Sequence, residues 1–311
     1  MEIKHKVFFG LVAGLSVSLV FLFTRRIPRK TLDFYHCFSS TKLRLPSKPV
    51  FFQNEPFPKG YTSVTQLSDS AKSLLCSHFL YSPVTESTQT YLDKHFPQMH
   101  SGLLYVADVQ TNGQGRTGSW VSQEGCLMFS FKFSCNSIKV LPLQLAIPLG
   151  IIRAIHRLGS SYDLDLSRLF AKYPNDVYLN GKKLAGILVN SISAGKLFVL
   201  TIGIGINVNN KTEFASLDKE FPGLFGKGEV LRSFLEEFAL IVKDIEDDQW
   251  GDSIVQEYKE KWMHLGKLVK LRDKDGDWVI RDINKQGVIF VENTHGKIEK
   301  LVDRNEIIFI D

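Results

Sequence analysis

"VQTNGQGRTGSW", Val109 to Trp120, is the stretch on which the reading of this chain turns, because its centre, Gly113 to Gly118, has the form G-x-G-x-x-G. That spacing serves dinucleotide folds, kinases and other phosphate-holding loops alike. A dinucleotide fingerprint needs its glycines to open a helix, with an acid about twenty residues further on to take the ribose. Here the loop continues through "SWVSQEG" into a strand, and no Asp or Glu occurs between Glu124 and Asp163. A kinase loop would need V-A-I-K, H-R-D-x-x-x-x-N and D-F-G, none of which the chain contains. What remains is a strand-flanked loop with Gly113, Gly115, Gly118 and one guanidinium, Arg116. Glycines remove bulk and permit positive φ, so backbone N–H groups can approach a phosphate or carboxylate, and the arginine adds charge and forked donors. A hairpin turn with a solvated arginine fits the loop equally well.

Outward from this loop the chain alternates short strands and helices. Leu74 to Phe96 reads as a strand, a polar turn and a helix capped by Ser87 or Thr88. "GLLYVADVQ" is a buried strand, and "WVSQEGCLMFSFKF" gives another after a Gly turn. Pro142 to Leu158 is helix-like, with Pro148 kinking it or marking its first turn. "VYLNGKKLAGILV" sets Asn180-Gly181 between apolar stretches, a hairpin signal, and "KLFVLTIGIGINV" follows as a strand. Residues 229–264 carry amphipathic helical spacing. From Lys267 onward five short strands alternate with the turns "DKDGD", "NKQG" and "NTHGK", which reads as a small β-barrel.

Composition narrows the classes. The chain has 311 residues, 44% hydrophobic and 23% charged, enough for a large core and a small second unit. Its formal charge is +5, but residues 1–50 carry nine Lys and Arg against Glu2 and Asp33, so the remainder is close to neutral. A basic polyanion-binding surface is therefore not indicated, and no room remains before the first ordered-looking segment for a winged-helix DNA-binding domain. No nucleic-acid partner is expected. The cysteines Cys37, Cys76, Cys126 and Cys135 form no C-x-x-C, and the eight histidines offer no metal spacing, which suits a reducing compartment. Val7 to Phe23 is an apolar run of seventeen residues followed by "TRRIPRK", so residues 1–50 are expected to be a targeting or membrane-anchor segment with possible membrane contact through residues 7–23.

A second constellation joins the first. Lys172-x-Pro174-Asn175-Asp176 leads into the Asn180-Gly181 hairpin, "GIGIN" with Asn207 follows, and "ESTQ" at Glu86 to Gln89 precedes the glycine loop. In this order the motifs resemble those of the biotin protein ligases, or holocarboxylase synthetases, over roughly residues 74–210. The resemblance implies an α+β fold: a mixed, largely antiparallel sheet flanked by helices, of the class II synthetase-like kind, over 51–264. A small SH3-like barrel over 265–311 completes it. It implies activation of biotin with ATP and Mg2+ to biotinyl-5′-AMP, then transfer to a lysine of the carboxyl-carrier domain of a biotin-dependent carboxylase, in the cytoplasm or an organelle such as mitochondrion or plastid.

The same resemblance assigns residues. Lys172, Arg116 and Asp176 are the expected catalytic groups, Lys172 and Arg116 holding the biotin carboxylate and α-phosphate and Asp176 serving magnesium or the acceptor proton. Ser87, Thr88, Gln89 and Gln110 are expected at the ureido end, with Gln114, Gly115 and Gly186 also toward biotin. Gly203 and Gly205 are expected where strands line the thiophane ring. Gly113, Gly115, Trp120, Asn175, Lys183 and Asn207 are expected toward ATP. Gln114 stands where many relatives carry a second basic residue, and Tyr173 replaces the tryptophan of K-W-P-N-D. Two rival readings are a lipoate protein ligase, whose R-R-x-S-G-G-G signature is missing, and a non-catalytic biotin- or carrier-binding protein, against which Lys172, Asn175 and Asp176 argue.

Overall fold

The computed structural model describes residues 50–52, 57–116, 118–120, 122–136, 140–246, 252–301 and 306–309. The Val7–Phe23 run and the expected targeting segment before Val50 lie outside them. Among the described residues no helix is long and apolar enough to cross a membrane.

An eight-stranded sheet has the order β1 (Val50–Phe52), β2 (His78–Thr85), β3 (Leu103–Gln110), β4 (Cys126–Asn136), β8 (Leu197–Asn207), β7 (Lys182–Ala194), β6 (Asp176–Leu179), β5 (Leu169–Lys172). β2 and β3 run parallel and the other neighbours antiparallel. A parallel pair needs a crossover, and here it contains α2 (Thr88–His95). The expected α+β arrangement, a mixed sheet with helices, is what forms.

β4 shows how the pattern sets the layers. Phe129, Phe131 and Phe133 alternate onto one face, where their rings meet Phe234 and Phe238 of α5 (Lys227–Glu246) at 5.5 to 6.2 Å between centroids. All five rings are buried, each contributing about 1.5–3 kcal/mol of apolar transfer. α3 (Val140–Gly159) lies beside α5 on the same face, Ser233 Oγ donating to Ala154 O at 3.3 Å. Pro148 sits inside α3, so it does not mark the first turn. On the opposite face β4 presents Ser130 and Lys132, both buried, and α2 covers it.

Several boundaries differ from the sequence reading. Leu74 and Leu75 close α1 (Asp69–Leu75), whose Ser68 cap accepts from Ala71 N, and the strand expected there begins at His78. Residues 229–264 resolve mainly into α5 and α6 (Asp252–Lys261), while α4 (Leu217–Glu220) and the short strands β1 and β5 had no distinct sequence signal. The Asn180-Gly181 hairpin is present, with φ of 51° and 76°, a left-handed pair that suits a two-residue turn.

A second, five-stranded antiparallel sheet follows, in the order β12 (Ile298–Leu301), β11 (Ile289–Asn293), β10 (Lys274–Ile283), β9 (Leu268–Leu271), β13 (Ile307–Phe309). Asn284 and Asn293 shape its turns, each Oδ1 accepting two backbone N–H groups two and four residues on. "DKDGD" makes no separate loop: β10 begins at Lys274, and the register slips between Lys274 and Trp278 around Gly276, at φ 90°. The β10–β11 loop of this sheet meets the β5–β6 turn, Tyr173 Oη donating to Gly287 O at 3.3 Å, and Met263, ahead of β9, donates its N–H to Ala171 O of β5 at 3.0 Å.

Candidate active site

The segments singled out from sequence converge on the sheet face opposite α3 and α5, around a cleft of about 200 Å³. Its closed end is built at the start of α2. Ser87 has extended backbone and its Oγ accepts from Thr90 N at 3.3 Å, the geometry of a helix N-cap. With the helix start thus fixed, Thr88 N and Thr88 Oγ1 both donate to Gln110 Oε1, at 2.7 and 3.1 Å. Thr88 Oγ1 also lies 2.7 Å from Ser130 Oγ. These bonds orient the Gln110 carboxamide and direct its Nε2 toward Met128 Sδ at 3.5 Å, a weak acceptor. A ligand carbonyl in the cleft would be a better partner for that N–H.

The glycine loop forms the rim. It is a hairpin in its own right: Gln114 bridges Ser119, Gly115 N donates to Gly118 O at 2.7 Å, and Trp120 N donates to Gly113 O at 2.9 Å. Gly113 and Gly115 answer a need for space, not for positive φ. A Cβ on Gly115 would stand 2.7 Å from Gly118 O, and one on Gly113 would stand 2.8 Å from Trp120 O. The loop thereby carries Arg116 to the cleft and lays the Trp120 indole along its floor. That floor is flat because Gly186 of β7 and Gly205 of β8 are direct Cα partners.

On the far side stands the β5–β6 turn. Its Tyr173-Pro174 peptide is cis, and Asn175 is pinned to β7 by two bonds, Ile187 N to Asn175 O at 2.9 Å and Asn175 Nδ2 to Ile187 O at 3.2 Å. Asp176 follows, its Oδ1 2.8 Å from Lys183 Nζ, and that ammonium lies 5.7 Å from the centre of the Trp120 ring. Both side chains are about 30% exposed, enough to meet a ligand and too much for the pair to be a stability device of any size. Cys126, behind the loop, is a buried thiol whose pKa burial pushes up to about 12, so it is not a nucleophile.

Of the expected site residues, Ser87, Thr88, Gln89, Gln110, Gln114 and Gly115 line the cleft, as do Arg116, Trp120, Asn175, Asp176, Lys183 and Gly186. Gly203 and Gly205 join them. Three expected residues do not. Lys172 is the Cα partner of Asp176 and shares its sheet face, but its Nζ is drawn along the hairpin to Tyr178, donating to Oη at 3.2 Å and resting 4.6 Å from the ring centre. Asn207 is buried at the end of β8, where Oδ1 accepts from Asn210 Nδ2 at 2.9 Å. Gly113 is buried in the neck of the hairpin. Sequence reading missed Ser130, whose signal was present: it and Lys132 are the polar pair in "CLMFSFKF", spaced two apart and so on one face.

The geometry finds its counterpart among known proteins. The model of the biotin/lipoate A/B protein ligase family matches residues 81–207, which carry nearly every group of the cleft. Over those residues the chain is similar to this family. Among curated relatives, biotin-protein ligase 2 of Arabidopsis thaliana is 30% identical over 212 residues, covering 66% of this chain and 64% of that protein. Human biotin-protein ligase is 27% identical over 239 residues, covering 70% of this chain and 32% of that protein. The chain thus spans less than two thirds of the length of either relative. Among solved structures, the biotin protein ligase of Aquifex aeolicus in complex with biotin and ATP superposes with a TM-score of 0.59 at 26% identity. That match covers 74% of this chain and 97% of that one.

Proposed function

We propose that this protein activates biotin with ATP, releasing pyrophosphate, and then transfers the biotinyl group from biotinyl-5′-AMP to a lysine on the carboxyl-carrier domain of a biotin-dependent carboxylase. One observation carries this reading: Arg116 and the Lys183–Asp176 pair stand at one cleft whose other end is a fixed array of Thr88, Gln110 and Ser130. Polar donors and acceptors at a closed end suit a ureido ring, whereas a lipoyl dithiolane would offer the Gln110 Nε2 N–H no acceptor better than Met128 Sδ. Cations at the open end suit two anions that must react with each other.

In this mechanism the biotin carboxylate oxygen attacks the α-phosphorus, the bond to the bridging oxygen breaks and pyrophosphate departs with the electron pair. Arg116 and the adjoining loop amides hold the carboxylate and the equatorial phosphate oxygens. Lys183 takes the bridging role that the motif resemblance gave to Lys172, because Lys183 is the ammonium that lines the cleft. In the second half-reaction the acceptor amine attacks the acyl carbon, AMP leaves, and Asp176 is the carboxylate at hand to receive the proton.

Magnesium, when bound, neutralises phosphate charge. Among the described residues no three His, Cys, Asp or Glu gather as a metal cage. Asp176 is the one carboxylate lining the cleft, and a single carboxylate with substrate phosphates is a ligand set magnesium accepts. Asp176 would hold the ion.

We further assign residues 51–264 as the catalytic unit and 265–311 as a small SH3-like barrel. Support comes from the meander β9 to β12 and the return of β13 to pair with β9. A cytoplasmic or organellar setting goes with the buried thiols of Cys76, Cys126 and Cys135. The decisive experiment is biotin-dependent exchange of pyrophosphate into ATP, followed by labelled-biotin transfer to a carrier domain, with and without magnesium. Absence of biotin-dependent exchange in a protein that binds biotin would sink the activity and leave a binding protein.

A further inference from the structure

Ser130 and Lys132 sit on successive rungs of one sheet face. Ser130 pairs with Gly203 and belongs to the cleft; Lys132 pairs with Thr201, and Asn190 of β7 flanks that rung. The second rung opens onto a separate cavity of about 220 Å³. Gln89 of α2 divides the two. A Cβ at Gly203 would stand 2.0 Å from Gln89 Oε1, so the carboxamide lies directly on the glycine, and its Nε2 donates to Thr201 O at 3.2 Å.

Lys132 is only 1% exposed. An ammonium carries three donors, yet Nζ makes one hydrogen bond, to Thr201 Oγ1 at 2.8 Å, and no ion pair among the described residues. The acid on the cavity, Asp93, accepts instead from Asn190 Nδ2 at 2.7 Å. Burying a cation with two N–H groups unmet is costly unless a counter-charge reaches it. Burial pushes its pKa down to about 8 in spite of the opposing pull of Asp93. Pro97, Ile192 and Val199 complete the wall as an apolar surface.

We propose that this cavity binds a short aliphatic monocarboxylate. Its carboxylate meets Lys132 Nζ and the Thr201 hydroxyl, and its alkyl chain lies on Pro97, Ile192 and Val199. Asp93 sets the charge preference: it stands on the same cavity, so a second negative charge on the ligand meets its repulsion and phosphate is a poor occupant. The apolar wall likewise favours propionate over formate.

Saturation-transfer NMR and thermal shift on the full chain, with sodium propionate against sodium phosphate and sodium chloride at matched ionic strength and pH 7, test the site. Propionate protons receive saturation and Tm rises by several degrees, while phosphate moves Tm no more than chloride. Lys132→Met and Thr201→Val, each verified as folded by circular dichroism, lose both effects. Thr201→Val keeps the charge, so it stands in if Lys132→Met fails to fold. The proposal is overturned if propionate gives no signal, if its signal survives undiminished in the folded variants, or if phosphate matches propionate.

Discussion

Substituting Gly205→Ala tests the floor of the cleft. The new Cβ would lie 2.4 Å from Trp120 Cε2, 2.6 Å from Cζ2 and 2.7 Å from Nε1. Non-bonded carbons rest at about 3.5–4.0 Å, so the indole must lift by about 1 Å. The ring moves about its own side-chain torsions, since the backbone bond from Trp120 N to Gly113 O at 2.9 Å holds the hairpin in place. Overpacking of this kind costs about 1–3 kcal/mol, which is roughly fivefold to 150-fold in a dissociation constant. The half-buried ring can swing toward solvent, so the cost falls on ligand affinity and Tm falls little. Titration calorimetry with biotin should therefore show the weakened Kd while circular dichroism reports a near-normal melt. Gly186→Ala should do less, since its Cβ meets Trp120 Cζ3 at 2.8 Å and the flexible end of Lys183 at 3.2 Å. Wild-type affinity in Gly205→Ala would mean that Trp120 is no part of the binding surface.

Further outcomes are expected elsewhere. Lys183→Ala should lower biotin-dependent pyrophosphate exchange by about a hundredfold or more, while Lys172→Ala, acting through Tyr178, should cost tenfold or less; the reverse order would return the bridging role to Lys172. Gln110→Leu should weaken biotin by about tenfold to a hundredfold and leave ATP affinity nearly unchanged in equilibrium binding, as a lost ring-end hydrogen bond demands. Lys132 has a depressed pKa, so between about pH 8 and 10 the unfolded chain binds more protons than the folded one and stability rises with pH. The full difference is on the order of 3 kcal/mol, and Lys132→Met should flatten that rise; parallel Tm-against-pH curves for the two proteins would contradict it.

Periodicity made the sheet legible where both faces are demanding. β4 alternates Phe with Met, Ser and Lys because one side meets α5 and the other meets α2, and that alternation is written in the residues. β5 is four residues at an edge, and Leu74-Leu75 is apolar in a helix end as it would be in a strand, so neither carries a period to read. The site was legible wherever a residue type has one use. Arg116 in a glycine loop and Asp176 after Asn175 both reach the cleft. The choice between Lys172 and Lys183 was not open to sequence, because both share a face through the hairpin and only the long side chain's partner separates them: Tyr178 for one, Asp176 for the other. Asn207 was beyond reach for a similar reason, since its acceptor is spent on Asn210, three residues away.

The bond from Tyr173 Oη to the carbonyl of Gly287 ties the turn bearing Asn175 and Asp176 to a loop more than a hundred residues downstream. The small sheet is thus a buttress for that turn, and none of its described residues lines the cleft. Sequence changes around Asn284 to Val288 would surface as altered turnover with ligand pockets intact, so a survey of variants scored by activity alone would mistake this remote loop for part of the catalytic apparatus.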